Sequence, residues 1–244
     1  MQNREFKFRD DTIILQGDSH SMERVITTIQ HDIPDGWDYV MVGDFGAGFG
    51  ETEYAISNTI SHLELLNERA NRLDINVYII RGNHDRSAIW KLPNVYSNVT
   101  LVNTGDIGVF PNGKRVLFIG GGVSVDRYSR KEGRDYWKDE ITETLEDVPK
   151  VDIVFSHDCP EHFNHSTHSL PRSFGWYCDR DVTLIDDCLK QRKTMSDIVE
   201  KSGAKTTFYG HFHNSIQEEK DGVYARCIDI NELVQFDANE EYKL

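Results

Sequence analysis

Tyr39-Val40-Met41-Val42-Gly43-Asp44-Phe45-Gly46 decides how this chain is read: an apolar run passes straight into Gly-Asp. A short run that is continuous rather than alternating suits a strand buried on both faces. The same pattern recurs along the chain. Thr12–Gln16 leads into Gly17-Asp18-Ser19-His20, and Val77–Ile80 into Arg81-Gly82-Asn83-His84-Asp85. Val151–Phe155 leads into Ser156-His157-Asp158, and Thr206–Tyr209 into Gly210-His211-Phe212-His213. A further run, Val116–Ile119, leads into Gly120-Gly121-Gly122, which offers no ligand but lets the backbone turn tightly.

Helical patterns separate some of these runs. From Glu51 to Leu73, Ile56, Ile60, Leu63, Leu66 and Ala70 fall at three- and four-residue steps, which puts them on one helix face. Thr183 to Lys201 reads as a second helix with Ile185, Leu189 and Ile198 inward. Strands alternating with helices predict an α/β architecture, in which chemistry collects at the carboxyl ends of the strands.

The chain has 244 residues, 38% hydrophobic and 28% charged, which is a globular balance and enough for one sizeable core. With no repeat, low-complexity tract or Pro/Ser-rich linker, residues 1–244 read as a single domain. No apolar stretch is long enough to span a bilayer, and Met1 to Asp10 lacks an apolar leader core, so no membrane is expected and the expected location is the cytoplasm. The net charge of −14 argues against long nucleic acid as a partner. Arg115, Arg127, Arg130, Lys131 and Arg134 make the segment from Lys114 to Lys138 locally cationic; it reads as a hold for one phosphate group or as a solvated mixed-charge face. Cys159, Cys178, Cys188 and Cys227 include no C-x-x-C pair, so they read as reduced thiols rather than a zinc site.

The chemistry lies in the blocks. Together they hold Asp, Asn and His and no Cys, a donor set for hard-to-borderline divalent ions. Asp18 and His20 are two apart, so on an extended segment both side chains point the same way. His211 and His213 repeat that spacing. Asp44 has two oxygens with which to bridge two cations, Asn83 offers a neutral amide oxygen, and His157 adds an imidazole. These seven residues suffice for two ions that share one ligand, the usual apparatus for phosphoester hydrolysis.

In this order, D-x-H, G-D, G-N-H-D, H and G-H-x-H, the blocks resemble the calcineurin-like metallophosphoesterase superfamily from about Ile13 to His213. The resemblance implies a four-layer α/β/β/α sandwich with two mixed sheets face to face and metals at the strand ends. It implies a first metal on Asp18, His20, Asp44 and His213, and a second on Asp44, Asn83, His157 and His211. Manganese is expected foremost, with iron, zinc, nickel and cobalt compatible. It further implies hydrolysis of a phosphoester by a metal-bridging hydroxide, with His84 protonating the leaving group or steadying the phosphate. Asp85 is then either the residue that orients His84 or a buried ion-pair partner.

Ser21 follows His20, Gly46-Ala47-Gly48 follows the second block, and Asp85 ends the third. These depart from the large Ser/Thr phosphatases, which carry a second aspartate and a phosphate-binding arginine there, and they argue against a dedicated phosphoprotein phosphatase. Gly120 to Tyr128 resembles a loop of small bacterial and phage-type members, and Arg81 and Arg127 are the candidates to bind substrate phosphate. The expected partner is a small phosphorylated substrate. A phosphodiesterase or nuclease acting on cyclic nucleotides or nucleic-acid ends is the alternative, followed by a non-catalytic scaffold. The Gly-rich run Gly46 to Gly50 lacks dinucleotide-site spacing. His162, His165 and His168 read as a polar loop rather than an accessory metal site, and Cys159 to Asp181 as a long connection walling the pocket or packing on the body.

Overall fold

The computed structural model describes residues 3–93, 95–161, 163 and 174–244. In chain order the first strands are β1 (Glu5–Lys7), β2 (Thr12–Gln16), β3 (Asp38–Met41), β4 (Asn76–Ile80), β5 (Val99–Val102) and β6 (Ile107–Val109). They continue as β7 (Arg115–Ile119), β8 (Ile153–Ser156), β9 (Thr206–Tyr209), β10 (Ile216–Lys220), β11 (Val223–Cys227) and β12 (Leu233–Asp237). The helices are α1 (Met22–His31), α2 (Thr52–Arg72), α3 (Ser87–Trp90), α4 (Phe174–Cys178) and α5 (Leu184–Ser202), with a 3-10 turn at Arg127–Ser129.

The strands form two mixed sheets. In the five-stranded sheet, ordered β12-β2-β3-β4-β5, the last four run parallel and β12 closes the edge antiparallel to β2. In the seven-stranded sheet, ordered β1-β6-β7-β8-β9-β11-β10, strands β7, β8, β9 and β11 run parallel. The inner faces meet in one core, where Leu15, Val40, Val42 and Ile80 pack against Phe118, Phe155 and Phe208. The opposite face of the five-stranded sheet, with Tyr39, Met41, Val77 and Ile79, is covered by Val25 and Ile29 of α1 and Leu63 and Leu66 of α2. Leu117, Val154 and Tyr209 on the other outer face pack on Met195, Ile198 and Val199 of α5. The result is the four-layer α/β/β/α sandwich, its central strands apolar on both sides because both sides are covered.

The runs read as central strands are strands, to within two residues at each end. Helix α5 differs in phase. Ile185 and Leu189 are half exposed, while Leu184, Gln191, Arg192 and Met195 face inward with Ile198. Two polar residues hold that buried face. Gln191 exchanges hydrogen bonds with Thr142, and Arg192 donates to the carbonyls of Pro160, Glu161 and Phe163. Those contacts, with the burial of Cys159 and Phe163, pack the start of the long connection on the body. His162, His165, His168 and the rest of residues 164–173 lie outside the described residues. The four cysteines are unpaired, and among the described residues no helix is long and apolar enough to cross a membrane.

Candidate metal centre

Every motif block follows the carboxyl end of a parallel strand. Asp18, Asp44 and Asn83 follow β2, β3 and β4 in one sheet, and His157, His211 and His213 follow β8 and β9 in the other. The two sets meet at the seam. Asp18, His20, Asp44 and His213 offer ligand atoms that all lie within 4.8 Å of one another. His213 Nε2 is 3.0 Å from Asp18 Oδ2 and 3.0 Å from His20 Nε2. Asp44 Oδ2 lies 3.7 Å from His20 Nδ1, and its Oδ1 lies 3.5 Å from His157 Nε2. One carboxylate thus turns an oxygen toward each half of the cluster. In the second half, Asn83 Oδ1 is 2.8 Å from His157 Nε2, and the His211 ring centre is 4.9 Å from that of His157.

Hydrogen bonding tests whether this donor set fits a cation. His157 Nδ1 sits 2.9 Å from the Val42 carbonyl, which only accepts, so Nδ1 carries a proton and Nε2 is the nitrogen left to ligate. Nε2 is then an acceptor facing the amide oxygen of Asn83. Two lone pairs at that separation repel, and a divalent ion between them relieves the repulsion. The backbone supports the same reading: His20, Asp44, His211 and His213 all have positive φ, between 49° and 67°. Such strain in non-glycine residues persists where the surroundings enforce it, and it gathers at functional sites. The motif glycines also have a steric cause. A Cβ on Gly82 would stand 2.0 Å from Asp44 Oδ1, and one on Gly210 would stand 2.1 Å from Asp18 Oδ1.

The profile of the calcineurin-like phosphoesterase family matches residues 12–215. This chain is a calcineurin-like phosphoesterase. As such it is an enzyme, a metal-dependent hydrolase of phosphoesters, and its Asp/His cluster suits divalent metal. The crystal structure of phosphopantetheinyl hydrolase from Mycobacterium tuberculosis is similar in fold: TM-score 0.52 and 13% identity, with 100% of each chain covered. A second solved structure is 11% identical, with 93% of this chain and 95% of its own covered, at a TM-score of 0.49. No curated protein matches the chain in sequence.

The centre of this phosphoesterase is electrostatically unbalanced. Burial, then the nearby Asp18 and Asp85, push the Asp44 carboxyl well above the ordinary carboxylate range. Burial works to raise Asp18 too, but the rings of His157 and His213 outweigh it and hold that carboxyl low. Burial lowers His20 and His211. His84, desolvated and facing the Arg130 guanidinium, is driven down to about 2 and is neutral at ordinary pH. Two buried carboxyls that repel each other, flanked by imidazoles of which burial lowers His20 and His211 while Asp18 raises His213, favour added positive charge.

The residues expected around the metal ligands fall differently. Among the described residues, Asp85 has no contact with the His84 ring and no ion-pair partner. Its buried carboxylate accepts the backbone N–H groups of Phe45, Gly46, Ala47 and Gly82 at 2.7–3.2 Å, so it holds the loop behind Asp44. Arg81 turns from the centre and donates to the carbonyls of Asp139, Glu140 and Ile141. Arg127 is taken up by Asp181, Asp187 and Thr183. The guanidinium that reaches the centre is Arg130. Its two terminal nitrogens are each 3.0 Å from a ring nitrogen of His84, and Asp126 steadies it at 2.7–2.8 Å. Phe49, 44% exposed, lays its ring beside His84 at 5.5 Å between centres. The sequence shows a cationic segment, but not which arginine faces inward. That is set by the 3-10 turn at Arg127–Ser129, after which Arg130 leaves in extended backbone.

Proposed function

We propose that this phosphoesterase uses two divalent ions, manganese foremost, to hydrolyse a small phosphorylated substrate in the cytoplasm. The observation that carries the reading is Asp44, fully buried, with one oxygen toward His20 and the other toward His157. Asp18, His20, Asp44 and His213 would hold one ion, and Asp44, Asn83, His157 and His211 the other. When bound, such a pair supplies an acidified water and neutralises charge on the phosphoryl oxygens.

The chain's own groups do the rest. Arg130 presents a fixed fork to a phosphate oxygen, pre-oriented by Asp126. His84, neutral and hydrogen-bonded, lies beside that oxygen and serves the leaving group through a ring N–H. Phe49 walls the opening and keeps the His84 ring partly dry. The overall charge of −14 disfavours a long polyanion as substrate. The unpaired cysteines suit a reducing compartment.

Hydrolysis of p-nitrophenyl phosphate beside bis-p-nitrophenyl phosphate, on metal-stripped protein with manganese restored, tests the reading. Manganese-dependent turnover is expected, with the monoester preferred. A strong diester preference would replace a phosphatase by a phosphodiesterase, and silence on both with two ions bound would favour the scaffold alternative.

A further inference from the structure

We propose that Ser124 and Glu140 are positioning residues that fix which end of the Asn83 amide faces the second metal position, an inference that rests on the two-metal reading above. An asparagine ligates a metal through oxygen only, and its amide has two ends of nearly equal size. Something must hold it the right way round.

The buried network behind Asn83 does this through a chain of polarity. Ser124 donates its hydroxyl to Glu140 Oε2 at 2.7 Å, and its backbone N–H to Glu140 Oε1 at 2.7 Å. The one hydroxyl proton is then spent, so Ser124 Oγ accepts. What it accepts is the Nδ2 of Asn83, at 2.9 Å. With the NH2 end committed to Ser124, Oδ1 points at His157 Nε2. Asn83, Ser124 and Glu140 are 3%, 1% and 2% exposed, so water does not compete for these bonds.

Glu140 is itself held in place by the block that carries Asn83. Arg81, two residues before Asn83, grips the carbonyls of Asp139, Glu140 and Ile141, while Gly122 N–H donates to the Glu140 carbonyl. Arg81 therefore supports the ligand from behind instead of binding substrate. Ser124 belongs to the glycine-rich loop after β7, and Glu140 closes the excursion that bears Arg130. The same pair thus ties the amide ligand to the base of the phosphate-binding arm.

Manganese titration followed by electron paramagnetic resonance tests this without relying on turnover. Wild-type protein should take up two equivalents of Mn(II) and lose the free six-line signal. Ser124→Ala should keep the first equivalent and bind the second about 10- to 100-fold more weakly, the usual cost of losing a partner behind a ligand. Ser124→Cys, of similar volume but a poor acceptor, should behave alike and serves if the alanine variant does not fold. The decisive variant is Asn83→Asp in the Ser124→Ala background. A carboxylate presents oxygen whichever way it turns, so second-site affinity should return. Second-site binding unchanged in both Ser124 variants, or no recovery with aspartate, overturns the proposal. A wild-type chain that takes up fewer than two equivalents overturns the two-metal reading itself, and this positioning role with it.

Discussion

His84 and Arg130 share one contact but have separable tasks. His84 ligates nothing in the cluster: its backbone N–H donates to Asp44, and its ring lies between His20, Phe49 and Arg130. His84→Ala should keep the bound metal while turnover of a substrate with a poor leaving group falls about 100-fold or more, the usual worth of a hydrogen-bond donor aimed at a departing oxygen. Equal loss on good and poor leaving groups would remove it from the leaving-group side of the reaction. Arg130→Met should leave the metal count unchanged and raise KM about tenfold or more, as expected for one charge-assisted contact to phosphate. Inorganic phosphate inhibiting the variant as well as the wild type would refute that role. At this scale the sequence was informative about which Asp, Asn and His side chains meet at the seam and poor about what surrounds them. The Asp, Asn and His blocks were legible in part because Gly82 must pack against the carboxylate of Asp44 and Gly210 against that of Asp18, which leaves a fixed pattern of letters. Guanidinium direction leaves no such pattern. Arg81 and Arg127 look as suited to phosphate as Arg130, and only the folded loop sends two of the three elsewhere.

Among the elements, the loop from Asp44 to Gly50 shows what the candidate site costs in local order. It carries a strained aspartate, then three glycines with positive φ at Gly46, Gly48 and Gly50. Asp85 holds its first half through backbone amides, and Thr59 of α2 accepts the Gly48 N–H at 2.7 Å. Asp85→Asn keeps the volume but turns an NH2 toward amides that need an acceptor. It should destabilise the metal-free protein by roughly 3–5 kcal/mol, since several buried donors lose their partner at once. In a thermal melt that is on the order of 10 °C for a chain of this size. A melt within about 2 °C of wild type would show that the loop does not depend on Asp85. The strands and helices around this loop were legible in proportion to their cover. β2, β3, β4, β8 and β9 are apolar on both faces and stand out as runs. β10, Ile216-Gln217-Glu218-Glu219-Lys220, is a polar edge strand that gains its register only from antiparallel pairing with β11. The phase of α5 was obscured for a related reason: the buried Gln191 and Arg192 do work that a count of apolar residues assigns to solvent.

Across the whole molecule, the centre is a joint. One candidate ligand set hangs from the five-stranded sheet and the other from the seven-stranded sheet, so metal held by both would tie the two halves of the sandwich together. Binding to the folded chain alone stabilises it by mass action, about 2.7 kcal/mol at a hundredfold excess over Kd. The pH dependence has a definite sign. Asp44 is raised in the folded chain, so without metal it binds a proton where the unfolded chain does not, and its contribution to stability falls as pH rises above the ordinary carboxylate value. His20 and His211 are lowered; their contribution is intact above the ordinary imidazole value and is lost as pH falls through it. These terms, joined by His84 on the side of the lowered histidines and by the raised His213 on the side of Asp44, oppose each other in the metal-free protein. Metal removes the opposition, because it takes the place of the proton on Asp44 and needs the histidines neutral. The rise in melting temperature on adding manganese should therefore grow steadily from pH 5 to pH 8, measured against the same protein in chelator. A rise that is constant or shrinks with pH would mean that the ion is not held by this carboxylate and these imidazoles.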